Sequence, residues 1–422
     1  MKAEIISIGD ELLIGQVVNT NASWLGEQFS LAGIQIVRVT VVGDTREHIL
    51  TAFDRAWAEH DVVVVTGGLG PTHDDITRET VCSFFDTPLV FSQLALDDIT
   101  TMFRERNRPL SDLNRDQAMV PASARVIRNA HGTAPGYHFQ SGEKHFFVAP
   151  GVPYEMHAMI EDDILPLLRT ALRNTHESVT MLTTGIPESA LAEQLDGIEG
   201  LETCVGVAFL PSPMGVRIRL TAKGTEHTDC QDALRRVENF VRDRAAEYIF
   251  GTGRQTPEEM LGRLLMERGL QLSVAESCTG GVITDKLTNI SGSSAWFERG
   301  AVTYSNESKT AMLGVSSDLI AAHGAVSRET AEAMAQGIRL HSGSDIGLST
   351  TGIAGPTGAT PEKPVGLVWI GLSTAATRFA YPFYFGSNRI RTKQRAAQAA
   401  LDMVRRNLLS LPQVPTILTK TP

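Results

Sequence analysis

Residues that could act as nucleophiles lie together near position 277, in the segment VAESCTGGVITDKL. Ser277 and Cys278 stand where an apolar, strand-like run ends and a helical pattern begins, and Thr279, Gly280 and Gly281 follow directly. The first amides of a helix lack partners within it and carry partial positive charge, so they suit a developing oxyanion or a bound phosphate. The pattern makes Ser277 and Cys278 candidate nucleophiles next to free backbone amides. The alternative is that Ser277 or Thr279 only caps the helix.

A tyrosine and a lysine could assist such a nucleophile. In VTYSNESK, Tyr304 stands at the end of a predicted strand and Lys309 within the first turn of the next helix. Neighbouring Tyr and Lys side chains can lower one another's pKa and serve a serine as base and relay, although most lysines are solvated surface charges. In the glycine-rich loop STTGIAGPTGATPEKPVG, Gly352 and Gly355 would let the main chain approach a ligand closely. The alternative for this loop is a long turn.

Carboxylates and glycines mark a second candidate site near the N-terminus. The stretches GDELLIGQVVNTN and TGGLGPTHDDITRE each place acidic side chains just beyond a predicted strand, where open α/β sheets bind ligands. The candidate ligands of a divalent cation are Asp10, Asp74 and Asp75. The candidate phosphate-binding residues are Gly67, Gly68 and Gly70. The alternative is turn chemistry and helix N-terminal charge for these carboxylates.

Three domains are predicted to position these residues. In residues 1–170, the runs AEIISIG and DVVVVTGG read as strands that enter glycine-containing loops. Between them, Asn21 is predicted to cap a helix that carries Leu25 and Phe29 and ends at Gly33. This pattern predicts an open α/β sheet with helices on its faces.

The rest of the chain is predicted to form two smaller domains. Residues 171–253 alternate strands such as VTMLTTG with helical stretches, which is typical of a small α+β module. Its GIEG matches the G-x-x-G of a KH fold, but no Lys or Arg separates the glycines, and RNA binding is not expected. In residues 254–422, Thr256, Pro257 and Glu259 predict a capped helix that ends at Gly269 and opens a C-terminal α/β domain.

Composition limits the class of protein. The chain has 422 residues, a formal charge of -10 and a pI near 5.6, which argues against a broad surface for nucleic acid. The four cysteines are far apart and form no C-x-x-C pair, which favours reduced thiols. No secretory signal and no membrane-spanning run is recognisable, so a cytoplasmic protein is expected.

The C-terminal motifs resemble a known family. AESCTGG, GSSAWFERGAVTYSNESK, HGAVS and TGIAGPTG, in this order and spacing, are similar to the CinA C-terminal domain, the nicotinamide-nucleotide amidohydrolase family, over residues 256–405. The resemblance implies that Ser277 is the nucleophile, that Tyr304 and Lys309 assist it, and that nicotinamide mononucleotide is hydrolysed to nicotinate mononucleotide and ammonia without a metal. Arg389 is a further candidate, as a phosphate contact, although FGSNRIRTK departs from the FSGDR-type stretch of relatives.

The N-terminal stretches, with GTAPGYHF and VAPGVPYEM, resemble the molybdopterin-binding fold over residues 1–165. For CinA proteins this implies an ADP-ribose pyrophosphatase that uses a divalent cation (Mg or Co, possibly with K+), whereas other relatives bind molybdopterin, and fold analogy does not separate the two. We therefore expect a homodimeric enzyme of pyridine-nucleotide recycling that acts on small nucleotides. The alternative is a non-catalytic protein of competence or recombination.

Overall fold

The computed structural model describes residues 1–72, 75–172, 175–224 and 226–415. The chain divides into two compact units, the first comprising Met1–Glu177 with Lys223–Cys230, and the second Ser178–Ala222 with the chain from Gln231 onward. The fold is mixed α/β, as the sequence predicts. In the described part of the chain, no helix is long and apolar enough to cross a membrane.

The described residues of the N-terminal part of the chain form eight strands and eight helices. The strands are β1 (Lys2–Ile8), β2 (Gln35–Val42), β3 (Val62–Thr66), β4 (Leu89–Phe91), β5 (Met119–Pro121), β6 (Arg125–Ile127), β7 (Gly136–Ser141) and β8 (Lys144–Ala149). The helices are α1 (Asp10–Leu13), α2 (Thr20–Leu31), α3 (Arg46–Glu59), α4 (Thr77–Phe84), α5 (Gln93–Glu105), α6 (Asp112–Asp116), α7 (Pro153–Met159) and α8 (Leu165–Ala171), the last two joined by a π-helical turn (Ile160–Ile164).

Six of these strands form one sheet in the order β2-β1-β3-β8-β7-β6. Strands β1, β2, β3 and β8 are parallel, and β7 and β6 continue the sheet antiparallel. Separate hydrophobic cores cover the two faces, one against α3 and the other against α2 and α7. The ends of β1 and β3 therefore meet at one edge, where the predicted ligand-binding loops begin.

The predicted strands AEIISIG and DVVVVTGG are confirmed as β1 and β3, but the cap of α2 is corrected. Asn19, rather than Asn21, accepts the amide of Ala22 and caps this helix. The Asn21 side chain instead donates to the main-chain oxygen of Gly151, at 2.7 Å. Both asparagines fit a helix start by type, and the long-range bond to Gly151 decides between them.

The middle of the chain forms a four-stranded sheet in the order β10-β11-β9-β12. Its elements are β9 (Thr175–Thr183), α9 (Glu188–Gln194), β10 (Val205–Ser212), β11 (Gly215–Gly224), α10 (His227–Ala245) and β12 (Ile249–Thr252). In the G-x-x-G stretch, Gly197 is left-handed and Ile198–Gly200 forms a short 3-10 turn with a buried Ile198.

The C-terminal part forms five strands and six helices. Its elements are α11 (Pro257–Arg268), β13 (Leu272–Glu276), α12 (Val282–Thr288), β14 (Phe297–Val302), α13 (Asn306–Leu313), α14 (Ser317–His323), α15 (Arg328–Ser342), β15 (Ile346–Gly352), β16 (Leu367–Ser373), β17 (Arg378–Tyr384) and α16 (Arg389–Leu408). The predicted capping box of Thr256 and Glu259 opens α11, and left-handed Gly269 closes it.

The C-terminal sheet has the order β14-β13-β15-β16-β17. Its first three strands are parallel and the last two are antiparallel to their neighbours. Glu276, at the end of β13, pairs with Val302 of β14 and Thr350 of β15. The C-terminal ends of three neighbouring strands thus meet at one edge of the sheet, and the predicted catalytic segments follow from that edge.

Candidate active site

Ser277 lies in a tight turn between β13 and α12. Its amide donates to the main-chain oxygen of Thr350, at 3.0 Å, which ties the turn to β15. Gly280 and Gly281 both have positive φ, at 59° and 95°, a backbone conformation that residues with a Cβ rarely adopt. The two glycines allow the chain to turn from the strand into the helix within five residues and leave the Ser277 side chain at the sheet edge.

The side chain of Lys309 reaches this turn from α13. Its Nζ lies 3.1 Å from Ser277 Oγ and donates to the main-chain oxygens of Thr303, at 2.9 Å, and Tyr304, at 3.3 Å. The residue is 1% exposed. Burial lowers the pKa of Lys309, and it outweighs Cys278 and Glu307, which act in the opposite direction. The neutral amine is therefore favoured more than in a solvated lysine.

The geometry around this amine matches the needs of a base. A neutral lysine has two N–H donors and one lone pair. The two main-chain oxygens take the two donors, so the lone pair can accept the hydroxyl proton of Ser277. After protonation the third N–H can donate to the serine oxygen without any change of partner.

The relay role predicted for the Tyr304 ring is corrected, because the ring contacts a different residue. Its side chain is 62% exposed, and its hydroxyl oxygen accepts from Arg389 Nη2 at 3.1 Å. Lys309 contacts the Tyr304 main-chain oxygen instead and reaches Ser277 directly. Tyr304 thus holds the lysine through its backbone and the arginine through its ring.

A cavity of about 340 Å³ opens over Ser277 and Lys309. It contains six of the predicted C-terminal site residues, which are Ser277, Tyr304, Lys309, Gly352, Gly355 and Arg389. It is also lined by residues that the sequence did not single out, which are Ala325, Val326, Thr351, Ile353, Ala354, Thr357 and Gly358. Among the described residues that line this cavity, Arg389 carries a permanent positive charge and none is acidic, so the cavity favours an anionic ligand.

Of the two basic residues at this cavity, Arg389 is the one that lies farther from Ser277 in the sequence. It is the first residue of α16, and its Nη1 donates to the main-chain oxygen of Gly355 at 2.8 Å. With its contact to the Tyr304 hydroxyl, this bond holds the guanidinium against the glycine-rich loop. The altered FGSNRIRTK stretch therefore still delivers an arginine to the cavity.

Three predicted residues do not line the cavity, and the predicted role of two of them, Gly280 and Gly281, is corrected. Thr279 is fully buried, and its hydroxyl shares a hydrogen bond with that of Thr350 at 2.7 Å. The Gly280 amide donates to the Ser277 oxygen at 3.2 Å, and the Gly281 amide donates to the carboxylate of Glu276 at 2.9 Å. The amides of Gly280 and Gly281 are therefore occupied and do not receive an oxyanion.

Cys278 is near Ser277 but differs from it in chemistry. Burial raises the pKa of its thiol to about 12, and the negative charge of Glu276 acts in the same direction. A thiol in this environment stays protonated at neutral pH, and a protonated thiol is a poor nucleophile. The geometry favours Ser277 over Cys278.

Four of the N-terminal candidate residues line a cavity of about 480 Å³ in the first unit. Gly67, Gly68, Gly70 and Asp75 line it, together with three carboxylates that the sequence did not single out, which are Glu11, Asp44 and Glu155. Gly67 lies so close to β1 that a Cβ would approach the Ile8 oxygen to 2.2 Å. This contact explains why the first position of the loop is a glycine.

The two predicted cation ligands that the structure describes, Asp10 and Asp75, have different partners. Asp10 does not line the cavity, because its carboxylate accepts the Asp44 amide and its own amide donates back to Asp44. Asp75 accepts from the amide and hydroxyl of Thr72, and Asp74 lies outside the described residues. Among the residues that the structure describes, no three His, Cys, Asp or Glu side chains form a group that could hold a metal.

Full-length relatives identify the family. A CinA-like protein of Chloroherpeton thalassium is 43% identical over 414 residues, which cover 96% of this chain and 99% of that protein. The chain belongs to the CinA family. A CinA-like protein of Kosmotoga olearia is 41% identical over 97% of this chain and 100% of its own length.

Domain families of CinA proteins match each part of the chain. Residues 4–170 match the family described as "Probable molybdopterin binding domain", residues 178–251 the damage-inducible protein CinA KH domain, and residues 254–408 the CinA C-terminal domain. The crystal structure of competence/damage inducible protein CihA from Agrobacterium tumefaciens is 39% identical over 37% of this chain and 97% of that chain, with a TM-score of 0.35.

Proposed function

We propose that the C-terminal cavity hydrolyses the carboxamide of nicotinamide mononucleotide to nicotinate mononucleotide and ammonia. The observation that carries this proposal is the 3.1 Å contact between Ser277 Oγ and Nζ of the buried Lys309. A nucleophile within hydrogen-bond reach of a base is the arrangement that covalent acyl transfer requires.

The first half of the reaction forms an acyl-enzyme. Lys309 takes the hydroxyl proton of Ser277 as the serine oxygen attacks the carboxamide carbon. The amides of Cys278 and Thr279 follow Ser277 directly and are not among the groups that Glu276 binds, so they are our candidates to stabilise the oxyanion. The Lys309 ammonium then protonates the leaving nitrogen, and the carbon–nitrogen bond breaks to release ammonia.

The second half returns the enzyme to its starting state. A water molecule attacks the ester carbon while the neutral Lys309 takes one of its protons. The bond to Ser277 Oγ breaks, the serine oxygen regains a proton from Lys309, and nicotinate mononucleotide leaves. Every proton taken by the lysine in one half-reaction is returned in the same half-reaction, so no further cofactor is needed.

The charge of the cavity supports a phosphorylated substrate. Arg389 is held by Gly355 and Tyr304 at the side of the cavity formed by the glycine-rich loop. A guanidinium matches a phosphate in charge and geometry. We propose that Arg389 contacts the substrate phosphate, so Arg389→Ala should raise KM for nicotinamide mononucleotide and leave turnover of the unphosphorylated riboside unchanged.

The deciding experiment is ammonia release from nicotinamide mononucleotide by the purified full chain, with nicotinate mononucleotide identified as the second product. Ser277→Ala is the control for a contaminating amidase. Absence of ammonia would refute the proposal. A DNA gel shift on the same preparation tests the non-catalytic alternative, in which the chain binds nucleic acid during competence or recombination.

A second activity is proposed for the N-terminal cavity, the hydrolysis of ADP-ribose to AMP and ribose 5-phosphate. Support comes from its position at the ends of β1 and β3, next to the loop that carries Gly67, Gly68 and Gly70. Among the described residues, four carboxylates and no basic side chain line the cavity, so a diphosphate would be repelled unless a cation neutralised its charge.

The described carboxylates form no ready-made metal cluster, and we assign no catalytic step to a metal. The test is AMP formation from ADP-ribose with added Mg²⁺ or Co²⁺. Binding of molybdopterin without ADP-ribose cleavage would favour the alternative function of this fold. The two activities together would serve pyridine-nucleotide recycling in the cytoplasm, with which the four free cysteines agree.

A further inference from the structure

A buried carboxylate that the reaction itself does not use lies next to the nucleophile. Glu276 is the last residue of β13 and is fully buried. In the described part of the chain, no ion pair joins it to a basic side chain. Its two oxygens instead accept four hydrogen bonds, from the amides of Gly281 (2.9 Å), Ile283 (3.2 Å) and Thr284 (2.8 Å) and from the Thr284 hydroxyl (2.7 Å).

These four bonds connect the end of the strand to the start of the helix. The first amides of a helix have no partners within it, and Glu276 accepts two of them in α12, together with the amide of the N-cap residue Gly281, with a full negative charge. Hydrogen bonds to an ionised acceptor are about twice as strong as neutral ones, which offsets the cost of burying the carboxylate. The main-chain oxygen of Glu276 also accepts the Thr303 amide, at 2.7 Å.

The segment between Glu276 and the start of α12 contains the reacting groups. Ser277 and the amides of Cys278 and Thr279 all lie in the five residues that Glu276 closes into a loop. The main-chain oxygen of the same residue accepts the amide of Thr303, whose carbonyl holds Lys309. A shift of Glu276 therefore moves the nucleophile relative to its base.

We propose that Glu276 is a positioning residue of the amidohydrolase, which holds the Ser277 turn in its reactive geometry. The inference rests on the proposed function of this cavity. Glu276 does not touch the cavity, and substrate contacts such as Arg389 and Gly355 belong to other elements. Its replacement should therefore lower kcat and leave KM nearly unchanged.

Glutamine is the most informative replacement, because it keeps the shape of the side chain. Its amide group has one accepting oxygen and one NH2 donor, so the NH2 would face N–H or O–H donors where Glu276 now accepts. Displacements of about 1 Å in an active site cost on the order of 100-fold in rate. We expect Glu276→Gln to lower kcat by about 10- to 100-fold with KM within about threefold of wild type.

Glu258 provides a matched control. It is a buried carboxylate of the same domain, 8% exposed, and its Oε1 lies 3.3 Å from Nζ of Lys286. Lys286 belongs to α12, so Glu258→Gln perturbs the same helix away from the Ser277 turn. We expect this variant to lose thermal stability to a comparable extent and to keep kcat within about twofold of wild type.

The pH dependence of kcat distinguishes a positioning role of Glu276 from an electrostatic one. Among the described residues, the hydrogen-bond partners of the Lys309 amine are Ser277, Thr303 and Tyr304, and the Glu276 carboxylate makes no contact with it. Glu276→Gln should therefore lower kcat at every pH without moving the midpoint of its rise with pH. A shifted midpoint would overturn the positioning role in favour of an electrostatic one.

The experiment uses the full chain and measures two reactions of wild type, Glu276→Gln and Glu258→Gln. These are ammonia release from nicotinamide mononucleotide, and labelling of Ser277 by a fluorophosphonate, which phosphonylates an activated serine and releases fluoride. The proposal is supported if both rates fall in Glu276→Gln alone. It is overturned if Glu276→Gln reacts like wild type, or if both variants lose activity equally at equal loss of thermal stability.

The labelling rates keep the two proposals distinguishable. If wild type is labelled at Ser277 but releases no ammonia, the proposed substrate is wrong, and the labelling rates alone decide the role of Glu276. If wild type is neither labelled nor active, Ser277 is not an activated nucleophile and both proposals fail. If Glu276→Gln does not fold, Glu276→Asp, which keeps the charge but shortens the reach by one methylene, is judged by the same criteria.

Discussion

Replacing Lys309 with arginine tests whether this residue moves a proton or only supplies positive charge. Arginine remains protonated at any working pH, so it preserves the charge beside Ser277 and cannot accept the serine proton. A positioned general base contributes about 10²- to 10⁴-fold to the rate. We therefore expect kcat of Lys309→Arg to fall by that factor, which is about 3 to 5 kcal/mol of transition-state stabilisation.

The structure explains why the loss should be large. Lys309 is 1% exposed and reaches Ser277 directly, so bulk water has little access to replace it as a base. Burial lowers its pKa, so the neutral, active form gains population as the pH rises. Wild-type kcat should accordingly rise with pH through one ionisation, with a pKa below the ordinary lysine value of about 10.4. Lys309→Arg should lack this ionisation.

Lys309→Met is the matched variant, because it removes both the charge and the base. Both variants should lose activity to a similar extent if proton transfer is what matters, and thermal unfolding checks that each is folded. Steady-state ammonia release between pH 6 and pH 10 is the assay, a range chosen as roughly that over which buried lysines titrate. If Lys309→Arg turns over within a few-fold of wild type while Lys309→Met does not, Lys309 is an electrostatic partner and the proposed base is wrong.

Ser277→Ala should abolish ammonia release, and Cys278→Ala should keep most of it, because burial leaves the thiol protonated. An acyl group found on the Cys278 sulfur by mass spectrometry would show that Cys278, and not Ser277, is the nucleophile. EDTA should stop ADP-ribose cleavage and spare ammonia release, and AMP formation in metal-free buffer would count against a cation. In the first unit, burial lowers the pKa of His138 from 6.5 to about 4, and it also lowers that of its hydrogen-bonded neighbour His145. Between pH 6.5 and about pH 4 the unfolded chain therefore binds a proton at His138 more readily than the folded chain does. The free energy of unfolding should fall as the pH drops through this range, by on the order of 3 kcal/mol for His138. Thermal unfolding at several pH values measures the slope, which His138→Asn should flatten; an equal slope in the variant would assign the effect to other groups.

Features whose signals are local follow directly from the sequence. The capping box of Thr256 and Glu259 and the left-handed Gly269 define α11 at both ends, because each involves residues within about one turn. The runs that begin at Ala3 and Asp61 each become a strand for the same reason, since the apolar pattern of each is carried by consecutive residues. The order of motifs from AESCTGG to TGIAGPTG was also enough to predict the family that the full-length relatives confirm.

Only the tertiary structure decided which atom of a predicted residue faces the site. Tyr304 contributes its main-chain oxygen to Lys309 and its ring to Arg389, and Asp10 turns to the Asp44 amide. The hydrogen-bond partners of Tyr304 and Asp10 depend on strand register and on residues far away in the chain. The type of a residue carries no information about either.

The same limit applies to Glu276. In the sequence it is one acidic residue at the end of a strand, and nothing local shows that it is buried or that α12 folds back to meet it. The sequence by itself determined that a serine, a lysine and glycine-rich loops follow neighbouring strands, because strand and helix patterns are short-range. The fold decided that the helix amides bind Glu276 and that the lysine reaches the serine directly, because hydrogen-bond partners are assigned by the packing of distant segments.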